Sequence, residues 1–127
     1  MIEIERLDHF VVPVSDVEAV AAFYVRVLGM EKIVFGEDRV ALRFGQQKIN
    51  LQPAGAFGGL VADRHLSGTA DFCLVSRTPI AQVIESLKAH GVEIIEGPST
   101  RTGALGPINS VYFRDPDRNL VEISNYE

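Results

Sequence analysis

Hydrophobic positions in this chain alternate between two spacings, and the alternation runs through the same order twice. Over residues 4–14, Leu7, His9, Val11 and Pro13 fall on one parity and Asp8, Phe10, Val12 and Val14 on the other, which predicts a strand ending near Pro13. Ser15-Asp-Val-Glu18 then reads as a capping box: the Ser15 hydroxyl accepts the third helical amide and Glu18 reaches back. Across residues 16–28, Val17, Val20, Ala21, Tyr24, Val27 and Leu28 form one helical stripe, and Gly29 is suited to end it. Strands are predicted at 32–35, 39–44 and 48–52, with turns at Gly36-Glu-Asp38 and Gly45-Gln-Gln47.

After residue 68 the order begins again. Residues 69–76 are strand-like. Thr78 caps a helix that has Pro79 at its first position, where the missing N–H costs nothing. Ile80, Val83, Ile84 and Leu87 make its apolar stripe, and Gly91 ends it. Strands are predicted at 93–95, 110–113 and 120–124, with a long loop rich in Gly and Pro at 97–107. Within the closing stretch, Asp115-Pro-Asp-Arg-Asn119 reads as a turn between two paired strands. Glu122 takes the face opposite Val121 and Ile123. Arg118 stands where a left-handed turn residue is expected, so φ > 0 there carries strain.

The halves are copies of one pattern. Gly29 and Gly91 lie 62 positions apart, as do His9 and Asp71, and Glu31 and Glu93. Asn50 and Glu122 lie 72 apart, because the second copy carries a loop longer by ten residues. A repeat of this size describes architecture, and a half of about 60 residues has little core of its own. The expected organisation is a single domain over 1–127, made of module 1 (1–52), a linker (53–68) and module 2 (69–127). The linker holds Pro53 and four glycines, and its His65 reads as a solvated loop histidine.

Composition narrows the function classes. With 127 residues, 46% hydrophobic and 23% charged, the chain suits one globular domain. A net charge of -5 argues against non-specific nucleic-acid binding and against adhesion to acidic membranes. No apolar run approaches membrane-spanning length, and the N-terminus lacks a signal-peptide pattern. The single cysteine, Cys73, excludes an internal disulfide framework and a cysteine-rich zinc site. Cytoplasmic residence is the expectation. Two edge-bearing modules and a flexible linker predict a homodimer.

Two strand–helix–three-strand modules, opened by Leu-Asp-His-Phe (7–10) and closed by Phe-Arg-Asp-Pro-Asp-Arg-Asn-Leu-Val-Glu-Ile (113–123), resemble the vicinal oxygen chelate superfamily. That superfamily includes glyoxalase I, methylmalonyl-CoA epimerase, extradiol dioxygenases and the fosfomycin- and bleomycin-resistance proteins. The run from Arg101 to Asp117, with Lys-Ile-Asn-Leu (48–51), is similar to the small glyoxalase-domain-containing protein 5 group. The resemblance implies an α+β fold in which two βαβββ modules form a curved, cup-like mixed sheet with helices outside. It implies metal ligands on the first and last strands of each module: His9, Asn50, Asp71 and Glu122. His9 and Glu122 match the family pattern. Asp71 stands where many members have His or Gln, and Asn50 where Glu or Gln is common.

One imidazole, two carboxylates and an amide oxygen suit a divalent ion of the Mn, Fe, Co, Ni, Mg or Zn series rather than a thiolate site. The implied activity is that of a lyase or isomerase on a small carbonyl or hydroxy-carbonyl substrate, through a metal-stabilised enediolate with Glu122 as base. The rival is a metal-free cup that binds a small molecule, as the bleomycin-resistance members do, with His9 bonded to Glu122 or Asp71 in a polar network. An extradiol dioxygenase needs two histidines and a carboxylate, and only His9 occupies a ligand position. Two further residues are candidates for substrate binding: Cys73, which shares parity with Asp71, and Arg101, a loop cation able to clamp an anionic group.

Overall fold

The computed structural model describes residues 1–56 and 58–126. The chain divides into two compact units, Met1–Ser67 and Gly68–Glu127. Each is a βαβββ module with one helix and one four-stranded mixed sheet, the α+β arrangement that the repeat predicts. Among the described residues no helix is long and apolar enough to cross a membrane.

The first unit runs β1 (His9–Val14), α1 (Val17–Leu28), β2 (Glu31–Phe35), β3 (Arg39–Phe44) and β4 (Gln47–Pro53), with sheet order β1-β4-β3-β2. The crossover through α1 makes β1 parallel to β4, while β2, β3 and β4 pair antiparallel. Helix α1 packs on β3 and β4. Its Val20, Ala21 and Tyr24 are buried, as are Val12, Val14, Leu42, Ile49 and Leu51 of the sheet. Each such aliphatic side chain contributes about 1.5–3 kcal/mol of burial. The opposite parity, including His9, Val11, Lys48, Asn50 and Gln52, is left on the other face.

The helix start differs from the capping box by one residue. Asp16, in extended backbone, is the N-cap and accepts the Ala19 N–H at 3.1 Å. Glu18 turns outward to pair with Lys32. An aspartate one position later competes successfully with serine because both are strong caps. Gly29 closes the helix at φ 67, as the sequence predicts.

The second unit runs β5 (Asp71–Val75), α2 (Ile80–Ala89), β6 (Glu96–Gly103), β7 (Gly106–Arg114) and β8 (Leu120–Tyr126), with order β5-β8-β7-β6. Pro79 takes the N-cap position of α2 without a side-chain cap, so the helix starts one residue later than expected. The Thr78 N–H instead bonds the Ser76 hydroxyl. The larger correction is β6. Residues 97–107, expected as a loop, are mostly strand, and 93–95, expected as strand, precede it. Pro98 and Gly97 are tolerated because β6 lies at the sheet edge and its register shifts between Glu96 and Ser99.

The pairing register reproduces the sequence repeat. His9 faces Lys48 across β1 and β4, and Asp71 faces Leu120 across β5 and β8. These partners are offset by the same 62 and 72 positions that relate the two halves of the sequence.

The closing turn is held by Asp115. Its Oδ1 accepts the backbone N–H of Asp117 at 2.9 Å and of Asn119 at 3.0 Å, and its Oδ2 accepts the Asn119 Nδ2 at 2.9 Å. Asn119 Oδ1 in turn accepts the Ala70 N–H at 2.9 Å, tying the turn to the start of β5. Both side chains are buried. Arg118 sits at φ 68, so the turn keeps a left-handed residue there although arginine makes that geometry strained. Asp115→Ala therefore removes the acceptor for three donors and destabilises the protein by about 2–4 kcal/mol. Arg118→Gly relieves the left-handed backbone and is neutral to about 1 kcal/mol stabilising. Urea denaturation of both variants checks the pair, and equal effects would contradict it.

Candidate functional site

In each unit the parallel pair of first and last strands displays two of the candidate residues on one face, opposite the helix. Asn50 lies opposite Val11, two positions along from Lys48, which faces His9. Glu122 lies opposite Cys73, two positions along from Leu120, which faces Asp71. His9 and Asn50 therefore share a face of the first sheet, and Asp71 and Glu122 share a face of the second.

In the first unit His9 is exposed, and its Nδ1 lies 2.7 Å from Asp8 Oδ2. That hydrogen bond, with smaller help from His9, Arg6 and Lys48 charge, holds the Asp8 carboxyl below the usual carboxylate range. A carboxylate on one ring nitrogen fixes the tautomer and leaves Nε2 to a ligand. His9 thus bonds its sequence neighbour. Asn50 is 4% exposed, and its Oδ1 has no hydrogen-bond partner among the described residues. A buried amide oxygen without a donor is costly.

His65 corrects the sequence reading most sharply. It is 4% exposed, not solvated. Its Nδ1 accepts the Ala56 N–H at 3.2 Å, and its Nε2 lies 2.9 Å from Gln52 Oε1. The linker has no hydrophobic period, and the partner is 13 residues away, so nothing local marks this histidine as buried.

In the second unit Glu122 is the centre of a hydroxyl network. Its Oε2 accepts Ser110 Oγ at 2.7 Å and Ser124 Oγ at 3.3 Å. The two serines lie 2.6 Å apart, and Cys73 Sγ is 3.1 Å from Ser124 Oγ. Desolvation raises the Cys73 thiol, opposed by the Ser124 hydrogen bond and reinforced by the Glu122 charge. The Tyr112 phenol is also raised, by burial first and then by Glu122. Asp71 is exposed at the start of β5. Arg101 is not a loop residue: it lies on β6, its guanidinium 5.4 Å from the Tyr112 ring centre and 3.7 Å from Glu96.

Ser110, Tyr112 and Ser124 are the residues that reading the sequence for acids and imidazoles misses. Strand parity contains the signal, because Ser124 follows Glu122 by two and Tyr112 pairs directly with it. Among the described residues no group of three His, Cys, Asp or Glu side chains gathers in either unit. The donor types within each unit, an imidazole oriented by Asp8 with an amide oxygen in the first and two carboxylates in the second, are of kinds that divalent ions accept.

The model of the Glyoxalase/Bleomycin resistance protein/Dioxygenase superfamily matches residues 6–123. The chain belongs to this superfamily. It is 46% identical over 123 residues to the virulence protein STM3117 of Salmonella typhimurium, covering 97% of this chain and 85% of that one. It is 44% identical over 126 residues to the glyoxalase domain-containing protein RDO1 of Mycosarcoma maydis, covering 99% of this chain and 71% of that one. The integron cassette protein VCH_CASS1 from the mobile metagenome of V. Cholerae superposes with a TM-score of 0.96 at 44% identity, covering 100% and 99% of the two chains.

The network around Glu122 makes Cys73 a reporter of that carboxylate. With its thiol raised, Cys73 should be alkylated slowly by iodoacetamide at pH 8 despite being exposed. Glu122→Gln removes the negative charge, lowers the thiol pKa and speeds alkylation about two- to fivefold at that pH. A rate–pH profile for both proteins checks this, and superimposable profiles would contradict the contact.

Proposed function

We propose that this member of the superfamily is a divalent-metal-dependent lyase or isomerase acting on a small carbonyl or hydroxy-carbonyl substrate. The observation that supports it is the duplicated register: both units carry oxygen or imidazole donors at the same two positions of the same strand pair. In this reading His9, Asp71 and Glu122 are the principal ligands. Asn50 supplies an amide oxygen, a weaker donor that also suits a group bound beside the ion. When bound, such an ion polarises a substrate oxygen and lowers the acidity barrier of the adjacent C–H.

The chain's own residues supply the rest. Asp8 holds the His9 ring with Nε2 available. Glu122, flanked by Ser110 and Ser124, is the base that takes a proton from the carbon next to the carbonyl. The serine hydroxyls hold the carboxylate's orientation while it does so. Tyr112 lies against the same carboxylate, opposite it in the β7–β8 pairing. We also assign a homodimer to the working protein, since each sheet ends in an edge strand, β2 or β6, that another chain can cover.

One observation favours a second reading, a metal-free small-molecule binding protein. The Glu122 charge already has two hydroxyl donors, so no ion is required to satisfy it. Metal linkage separates the two readings. Elemental analysis of chelator-free protein should find a bound divalent ion. Added Mn²⁺ or Ni²⁺ should raise the wild-type melting temperature, because a ligand that binds only the native state stabilises it by mass action. Glu122→Gln should abolish most of that shift and lower turnover by about a hundredfold or more, with the fold intact. Absence of any shift across several divalent ions, with no turnover in a carbonyl-substrate screen, would leave the binding protein.

A further inference from the structure

On the face of the second sheet that displays Glu122, Arg101 offers an uncommitted guanidinium. Other arginines are occupied: Arg43 donates to both oxygens of Glu31 at 2.9 Å, Arg39 stacks on Phe35, and Arg114 donates to the Arg118 carbonyl. Arg101 takes part in no hydrogen bond among the described residues, and its 3.7 Å contact with Glu96 is longer than one. Its side chain is 45% exposed, so a ligand can reach it. A loose ion pair between exposed groups is worth little and is readily exchanged for a closer one.

Strand pairing places this cation beside Glu122. Strand β7 lies between β8 and β6 in the sheet. Tyr112 on β7 pairs directly with Glu122 on β8, so their side chains share a face. Arg101 on β6 pairs with Ile108, further back along β7, yet its guanidinium lies 5.4 Å from the Tyr112 ring centre. The arginine therefore lies along the same face toward Tyr112. Burial raises the Tyr112 phenol most. Glu122 raises it further and Arg101 lowers it, so the ring feels both charges. A carboxylate from one neighbouring strand and a guanidinium from the other thus flank one tyrosine.

We propose that Arg101 determines the specificity of this site and that the substrate is a carbonyl acid, whose carboxylate takes the guanidinium fork while the carbon next to its carbonyl faces Glu122. This rests on the enzymatic reading above for its reacting end. A planar fork of donors matches a carboxylate's two oxygens. Tyr112 supplies the wall between the two ends. A phosphate dianion fits less well, because Glu96 and Glu122 both face the same guanidinium or its neighbour and repel a second negative charge. A neutral carbonyl compound leaves the fork unused.

The test uses ¹⁵N-labelled full-length protein with EDTA present and three probes: pyruvate, its neutral isostere pyruvamide, and inorganic phosphate. Pyruvate should shift the Arg101 Nε–H resonance saturably, at least about tenfold more tightly than the other two, as one charge-assisted contact gives. Arg101→Gln should erase the difference between pyruvate and pyruvamide, and Arg101→Lys should keep part of it. A purely structural stack on Tyr112 would leave the preference in Arg101→Gln. Equal binding of pyruvate and pyruvamide, tightest binding of phosphate, no binding of any probe, or matching shifts at Arg39 and Arg43 would each overturn the proposal. With EDTA present the titration reads the anionic end alone. Pyruvate preference without turnover of any carbonyl acid would remove the enzymatic reading and keep the carboxylate site. Turnover that favours neutral carbonyl compounds over acids would remove the inference and keep the enzyme.

Discussion

The parallel pairing of first and last strands within each unit is the constraint on which the site depends. A parallel pair needs a long crossover, and here the crossover supplies the helix that covers one sheet face. Strand parity then assigns every second side chain to the opposite face. Val12, Val14, Ile49 and Leu51 are committed to the core by that alternation, and His9, Asn50 and Gln52 are displayed by the same rule. A slip of one residue in either pair would exchange the two sets. The core therefore fixes the site, and the site residues need contribute nothing to stability.

The two units use the displayed face differently. In the second, Glu122 accepts from serine hydroxyls on β7 and β8. In the first, the polar groups fall into two sets. Asp8 orients His9 at the surface, whereas the Asn50 oxygen is buried without a donor and Gln52 is tethered to His65. The duplicated backbone thus carries unequal chemistry, as expected when function is grafted onto a repeated fold rather than dictated by it.

Much of this was legible in the sequence, for identifiable reasons. Helical stripes such as Val20, Ala21 and Tyr24, and the stop at Gly29, are local signals with one physical reading. The offsets of 62 and 72 residues reappear as strand register because duplication preserves pairing. His9, Asn50, Asp71 and Glu122 lie on β1, β4, β5 and β8, the first and last strands of their units. Strand β6 was hidden because Gly97 and Pro98 read as loop residues and only an edge position makes them acceptable in a sheet. The burial of His65 was hidden because it depends on Gln52 and Ala56 meeting across an aperiodic segment. Ser110 and Ser124 were overlooked because serine on a strand is read as solvent-facing until its carboxylate neighbour is placed beside it.

Whether the displayed residues of each unit hold a divalent ion is tested most directly by paramagnetic broadening. Substoichiometric Mn²⁺ added to ¹⁵N-labelled protein broadens the amides near the bound ion. The account predicts that resonances of β1 and β4 around His9 and Asn50, and of β5 and β8 around Asp71 and Glu122, broaden, and that Glu122→Gln removes the broadening of β5 and β8. Broadening confined to surface acids such as Glu3, Glu5, Glu37 and Asp38, with the four strands unaffected, would contradict it.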